Sequence, residues 1–262
     1  MSTSTPEISV DASSIEPDRK PLLPSPTLTF FSAHHFSPSP SGIDSNLLLL
    51  LHGLGDSDSS FFTLGQTLQR TLPQTAILTL QAPHLVPFLH GPHWMWYPSF
   101  DGLGELLTKP NPSQTVDGMV KVLEHLVRCG WAARQIHLFG FGQGATVALE
   151  TLVSWSRTHN EALGSVVSVS GEMLSHPTSV ASPTPVLHVY RSASPIPDNS
   201  TRWASHRKAS SAFQLHRLPP HPQQGEEAML RNNEWDPVMR FWSRFLRNRT
   251  TWEREGKVVQ VG

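Results

Sequence analysis

With 262 residues, 38% of them hydrophobic, the chain holds enough apolar material for one sizeable core and is short for two full domains. A net charge of −1 gives no electrostatic reason to expect nucleic acid or an anionic membrane as partner, and a single cysteine, Cys129, excludes an intramolecular disulfide framework. No stretch approaches the roughly 20 apolar residues of a membrane span, so no transmembrane segment is expected.

Residues 1–26 are rich in Ser, Thr and Pro and read as a disordered tail, because they bury too little surface to offset the entropy of ordering. The tail lacks the apolar stretch of a secretory signal, and its Glu7, Asp11, Glu16 and Asp18 are unlike an acid-poor transit peptide. A cytoplasmic protein is the expectation, and the glycosylation patterns at Asn199 and Asn248 are then chance matches. One domain is expected over 27–250, with 251–262 a frayed C-terminal tail.

Inside the domain, Thr27–Phe31 reads as a first strand and Asn46–Leu51, a run of leucines, as a strand buried on both faces. Ala76–Leu80, Gln135–Phe139, Ser165–Val169, Pro185–Tyr190 and Ala212–Leu218 supply the later strands. Between them, Phe61, Leu64, Leu68 and Leu72 repeat at helical spacing, as do Val116, Val120, Leu123 and Val127, with Gly130 as a stop signal. A helix over Thr146–Trp155 is expected to be the most buried. The last helix turns Phe241, Trp242, Phe245 and Leu246 inward and leaves Arg240, Arg244 and Arg247 as a solvated outer face rather than a nucleic-acid patch. Strands alternating with helices imply a mostly parallel α/β sheet covered on both faces. The stretch 81–112, crowded with Pro, Gly and aromatics, reads as a binding loop or lid.

The informative run is Leu138-Phe139-Gly140-Phe141-Gly142-Gln143-Gly144-Ala145. It has the glycine spacing of G-x-S-x-G, a strained strand-to-helix turn that lifts a nucleophilic serine above a sheet, but Gly142 stands where that serine would be. Two backbone N–H groups usually hold the negative transition state in such sites. Gln143, after the elbow, suits one, and the His52-Gly53-Leu54-Gly55 loop after the leucine strand suits the other through Leu54. His52 and Asp56 read as structural members of that loop, and Cys129 as a small buried residue.

Leu-His-Gly-Leu-Gly-Asp followed by Gly-Phe-Gly-Gln-Gly-Ala resembles the phospholipase/carboxylesterase family that includes acyl-protein thioesterases. Gln81-Ala82-Pro83-His84 and Ser168-Val169-Ser170-Gly171 are similar to further segments of that family, over roughly residues 28–250. The resemblance implies an α/β-hydrolase fold and cleavage of carboxylic esters or thioesters by Ser, Asp and His in that chain order. Carried over residue by residue, it puts the nucleophile at Gly142, the acid at Ser194 and the base at His221 in Pro219-Pro220-His221. Asp198 and Glu172 are other carboxylates near the acid position, and neither helps without a nucleophile.

The expected function is therefore an acyl-protein thioesterase- or carboxylesterase-like protein that has lost serine catalysis and binds acyl or lipid ligands, with Trp94 and Trp96 as cleft candidates. The alternatives are an active hydrolase using an unconventional nucleophile or water, and a scaffold for a protein partner of unknown identity. No cofactor is expected, and no metal, because His34-His35 and the pair His216 and His221 lack ligand spacing.

Overall fold

The computed structural model describes residues 19–25, 28–87, 89–179 and 182–249, so residues 1–18 of the tail expected over 1–26, and the whole of the tail expected over 251–262, lie outside the described residues. Nine strands are described: β1 (His34–Ser37), β2 (Asn46–Leu51), β3 (Thr75–Leu80), β4 (His84–Leu85), β5 (Trp94–Met95), β6 (Ile136–Phe141), β7 (Ser165–Val169), β8 (Val186–Arg191) and β9 (Phe213–Leu218). The helices are α1 (Asp58–Gln69), α2 (Ser113–Arg128), α3 (Gln143–Thr158), α4 (Ala204–Ala209) and α5 (Asp236–Phe245). Seven strands form one sheet in the order β1-β3-β2-β6-β7-β8-β9, and β4 and β5 form a small hairpin. β1 is antiparallel to its neighbour and every other pairing in the large sheet is parallel.

The leucine run explains the layering. Leu47 to Leu51 are all fully buried, and alternate residues enter different cores, as the two-residue period of a strand requires. Leu47, Leu49 and Leu51 meet Met119, Leu123 and Leu126 of α2 and Val147 and Leu152 of α3. Leu48 and Leu50 meet Phe61 of α1 and Val238, Phe241 and Trp242 of α5. Helices thus cover both faces, as the sequence pattern requires.

The edges depart from expectation. Leu28–Phe30 is a 3-10 turn rather than a strand, and the edge strand is His34–Ser37, whose two histidines hid the pattern from an apolar count. Residues 19–25, read as tail, lie against the domain: the Lys20 N–H donates to Asp44 Oδ2 (2.8 Å), and the His125 ring bonds the Leu23 carbonyl (2.9 Å). On α2 the inner face includes Met119, Val122 and Leu126, while Val127 is exposed. The chain leaves α2 at Gly130, where the Trp131 N–H returns to the Leu126 carbonyl. The inner and outer faces of α5 are as expected from the sequence.

Candidate active site

The register Leu51↔Gly140 sets the carboxyl ends of β2 and β6 side by side, so the loop after β2 and the turn after β6 meet at one end of the sheet. Gly142 forms that turn at φ 52°, ψ −119°, a left-handed conformation that favours glycine. Its N–H donates to the Val169 carbonyl (2.9 Å), and α3 begins at the next residue.

The three elbow glycines serve different ends. A Cβ on Gly144 would overlap the carbonyl oxygens of Leu51 and His52, and one on Gly140 would overlap the backbone of Gly144 and Ala145. These positions exclude side chains because α3 must approach the sheet closely. At Gly142 a Cβ would meet nothing nearer than Gly53 Cα at 3.9 Å, and the residue is only half-buried. Of the three elbow glycines, Gly142 is the one whose place has room for a side chain. Gly142→Ala is expected to fold with a loss of about 1–3 kcal/mol from its left-handed φ. Gly144→Ala is expected to lose far more, and chemical denaturation of both variants checks the contrast.

The N–H groups of Gln143 and Leu54 find no hydrogen-bond acceptor among the described residues, and Gln143 opens a helix, where N–H groups lack intrahelical partners. The loop after β2 is held by His52, whose Nδ1–H donates to the Gly53 carbonyl (2.8 Å) while Nε2 accepts from the N–H of Ala82 (3.1 Å). Burial holds this imidazole below its ordinary pKa, hence neutral. Asp56 Oδ1 accepts the Ser57 N–H (2.8 Å), in keeping with its turn-closing role.

The 81–112 connection is stapled to the same place. Gln143 Oε1 accepts the Trp96 N–H (2.8 Å), and Gln143 Nε2 donates to Ser99 Oγ (2.6 Å). The Gly55 N–H donates to the Trp94 carbonyl (2.8 Å). Trp96 is fully buried, with its indole N–H on the His52 carbonyl (2.7 Å), so it braces the elbow from within instead of lining a cleft. Trp94 is half-buried. Cys129 is buried in the core of the α2 side.

The other two positions carried over from the resemblance lack the geometry of a triad. Ser194 is exposed. His221 Nδ1 accepts the N–H groups of Gln223 and Gln224 (3.2 Å each), so the ring proton sits on Nε2. A triad base needs the opposite tautomer, with Nδ1–H donated to a carboxylate. Near the end of β8 stands a group the sequence reading missed: Arg191, buried, gives its guanidinium to Glu234 at 2.9 and 2.7 Å and to the carbonyls of Ala228, Pro219 and Met229. All five N–H donors are occupied, which ties the segment holding His221 to the sheet. The hydrogen bond from Arg191 holds the Glu234 carboxyl below the usual range. Glu234→Ala leaves a buried unpaired cation and is expected to cost about 3–5 kcal/mol, while the double change Arg191→Met, Glu234→Leu costs less. Urea denaturation of the single and double variants distinguishes these outcomes.

Glu172 pairs with Arg202 (3.0 Å) on the surface, and Asp198 is exposed. Ser170, which the sequence offered only as part of a family-like segment and without a role, lies just past β7 and one strand from Gly142. It holds a left-handed φ of 55°, and its hydroxyl donates to the Glu226 carbonyl (3.3 Å). Among the described residues no three His, Cys, Asp or Glu side chains gather to hold a metal ion.

Residues 34–236 match the family model described as phospholipase/carboxylesterase. An uncharacterized hydrolase of Mycosarcoma maydis is 63% identical over 257 residues, covering 98% of this chain and 97% of its own. Acyl-protein thioesterase 1 of Saccharomyces cerevisiae is 28% identical over 163 residues, 57% of this chain and 70% of that protein. The solved structure of esterase PE8 matches with a TM-score of 0.62 at 22% identity, over 82% of this chain and 99% of that one. That likeness bears on the fold, which is the α/β-hydrolase fold.

Proposed function

We propose that this chain, which belongs to the phospholipase/carboxylesterase family, has kept the scaffold of an acyl-transfer site, lost its serine chemistry, and holds ester or thioester acyl ligands without turning them over. The observation that carries the reading is Gly142, a residue with no side chain at a turn that has room for one. A glycine cannot form an acyl-enzyme. The N–H groups of Leu54 and Gln143 supply polarity for a ligand carbonyl, while Ser194 and His221 offer neither a carboxylate nor a suitably oriented base.

The test is fluorophosphonate labelling beside calorimetric titration with a non-hydrolysable palmitoyl thioether. The expected result is binding without labelling, weakened by a bulky Gly142→Trp change. Labelling of the wild type, or no binding at all, would overturn the reading. One observation favours a working hydrolase instead: the left-handed Ser170, whose hydroxyl lies one strand from the elbow. Labelling lost on Ser170→Ala would select that alternative.

A further inference from the structure

The net charge of −1 conceals a segregation of sign along the chain. Residues 1–18 carry Glu7, Asp11, Glu16 and Asp18 and no Lys or Arg, whereas residues 236–249 carry four arginines against the single acid Asp236. Arg240 and Arg244 share the outer face of α5, Arg247 follows just past its end, and all three are exposed. Other cations of the domain do find carboxylates: Arg19 pairs with Asp44, Arg191 with Glu234 and Arg202 with Glu172. Among the described residues no carboxylate, Asp236 included, lies within ion-pair distance of Arg240, Arg244 or Arg247. We infer that this basic ridge is the docking surface of the chain's own acidic segment 1–18, which lies along α5 and screens it from other anions.

The fold sets the root of that segment beside the ridge. Where residues 1–18 join the domain, the chain is fixed just before β2: Asp44 accepts from Arg19 Nη1 (3.5 Å) and from the Lys20 N–H (2.8 Å). Two positions further on, Asn46 clamps the backbone at the end of α5. Its Oδ1 accepts the Arg247 N–H and its Nδ2 donates to the Arg247 carbonyl, at 2.8 Å each. From that root an extended chain advances about 3.3 Å per residue, so the stretch from Asp18 to Asp11 spans roughly 23 Å. The ridge from Arg247 back to Arg240 needs only about 10 Å of helix axis. Asp18, Glu16 and Asp11 therefore all reach it.

Tethering selects this occupant. A free anion or the segment of a second copy would meet the same arginines, but either must give up its translational freedom to do so. The chain's own segment is held at the ridge at high effective concentration. Exposed ion pairs are individually weak and screened by salt, so the contact acts through the number of its charges. An anionic partner reaches this face of α5 only by displacing the segment. The inference is independent of the acyl-binding reading, because the ridge lies at the opposite end of β2 from the loop that meets the elbow.

The experiment is pulsed dipolar EPR on the full chain, with spin labels on Ser13→Cys in the segment and on Ser243→Cys at an exposed site of α5, in a Cys129→Ala background. A short-distance population is expected at low salt, and it should fall at least about threefold on raising salt or on the double change Arg240→Glu, Arg244→Glu. Adding Asp11→Arg and Glu16→Arg to that double variant should restore it. Matching circular dichroism and melting curves confirm that the labelled chains keep the fold. Proteinase K supplies a label-free readout on the native-cysteine chain: the segment should be cut more slowly in wild type than in Arg240→Glu, Arg244→Glu. The inference is overturned by the absence of a short-distance population, or by one indifferent to salt and to charge reversal. A population that vanishes on dilution with unlabelled chain would overturn it too, since that marks the segment of a second copy.

Discussion

Purified wild-type protein is expected to hydrolyse p-nitrophenyl esters and a palmitoyl thioester about a million-fold more slowly than a serine-bearing relative, the cost of deleting a triad nucleophile. A residue of about 10³–10⁴ over water is compatible with that outcome, because on the proposed reading the N–H groups of Leu54 and Gln143 would polarise a bound carbonyl without a nucleophile. Gly142→Ser is expected to stay silent as well. A serine fits the space, but no described group takes its proton: His221 presents Nδ1 to its own turn, and His52 is locked between Gly53 and Ala82. Wild type, Gly142→Ala and Gly142→Ser should therefore agree within about tenfold. Strong turnover by Gly142→Ser would mean that a base reaches the elbow, and only the serine was lost. Strong turnover shared by wild type and Gly142→Ala would locate the chemistry elsewhere, with Ser170→Ala as the deciding variant.

The second large effect is acid unfolding. His137 is fully buried in β6, with Nδ1 on Ser165 Oγ (2.8 Å), and burial, aided by Arg247, pushes its pKa down to about 3. Among the described residues its Nε2 has no partner, so an added proton there would be an unpaired buried charge. Because the folded value lies below the unfolded one of about 6.5, the unfolded chain takes the proton first. His137 therefore costs nothing above pH 6.5, and stability falls by about 1.4 kcal/mol per pH unit from there toward pH 3. His188 and His206, both buried and 4.7 Å apart, are pushed down by burial and act in the same direction. Unfolding free energy should thus drop by several kcal/mol between pH 7 and 4.5. His137→Gln should flatten the slope by close to one proton. A flat profile over that interval would refute the assignment of these histidines as neutral core groups.

Local rules made the architecture legible. Five consecutive leucines can be satisfied only by a strand covered on both faces, and β2 is such a strand. The glycines at 140 and 144 announced a sharp strand-to-helix turn, and the absence of a side chain at 142 is a fact of composition. Where long-range contacts decide, the pattern failed. His34–Ser37 is a strand because it pairs with Leu80 to Ile77, not because its residues look apolar. Trp94 and Trp96 look alike in sequence, yet hydrogen bonds to His52 and Gln143 bury Trp96 and leave Trp94 at the margin. Arg191 finds Glu234 across 43 positions, and no spacing rule links them.

The sequence by itself determined the layered α/β sheet, the sharp turn after β6 and the glycine at 142, because these rest on periodicity, on glycine sterics and on which atoms a residue owns. Only the tertiary structure decided that the elbow has space for a side chain at Gly142, that His221 turns its acceptor nitrogen to its own turn, and that Trp96 and Ser99 of the 81–112 connection are bonded to Gln143. Those are properties of distance and direction between segments far apart in the chain, which packing alone sets.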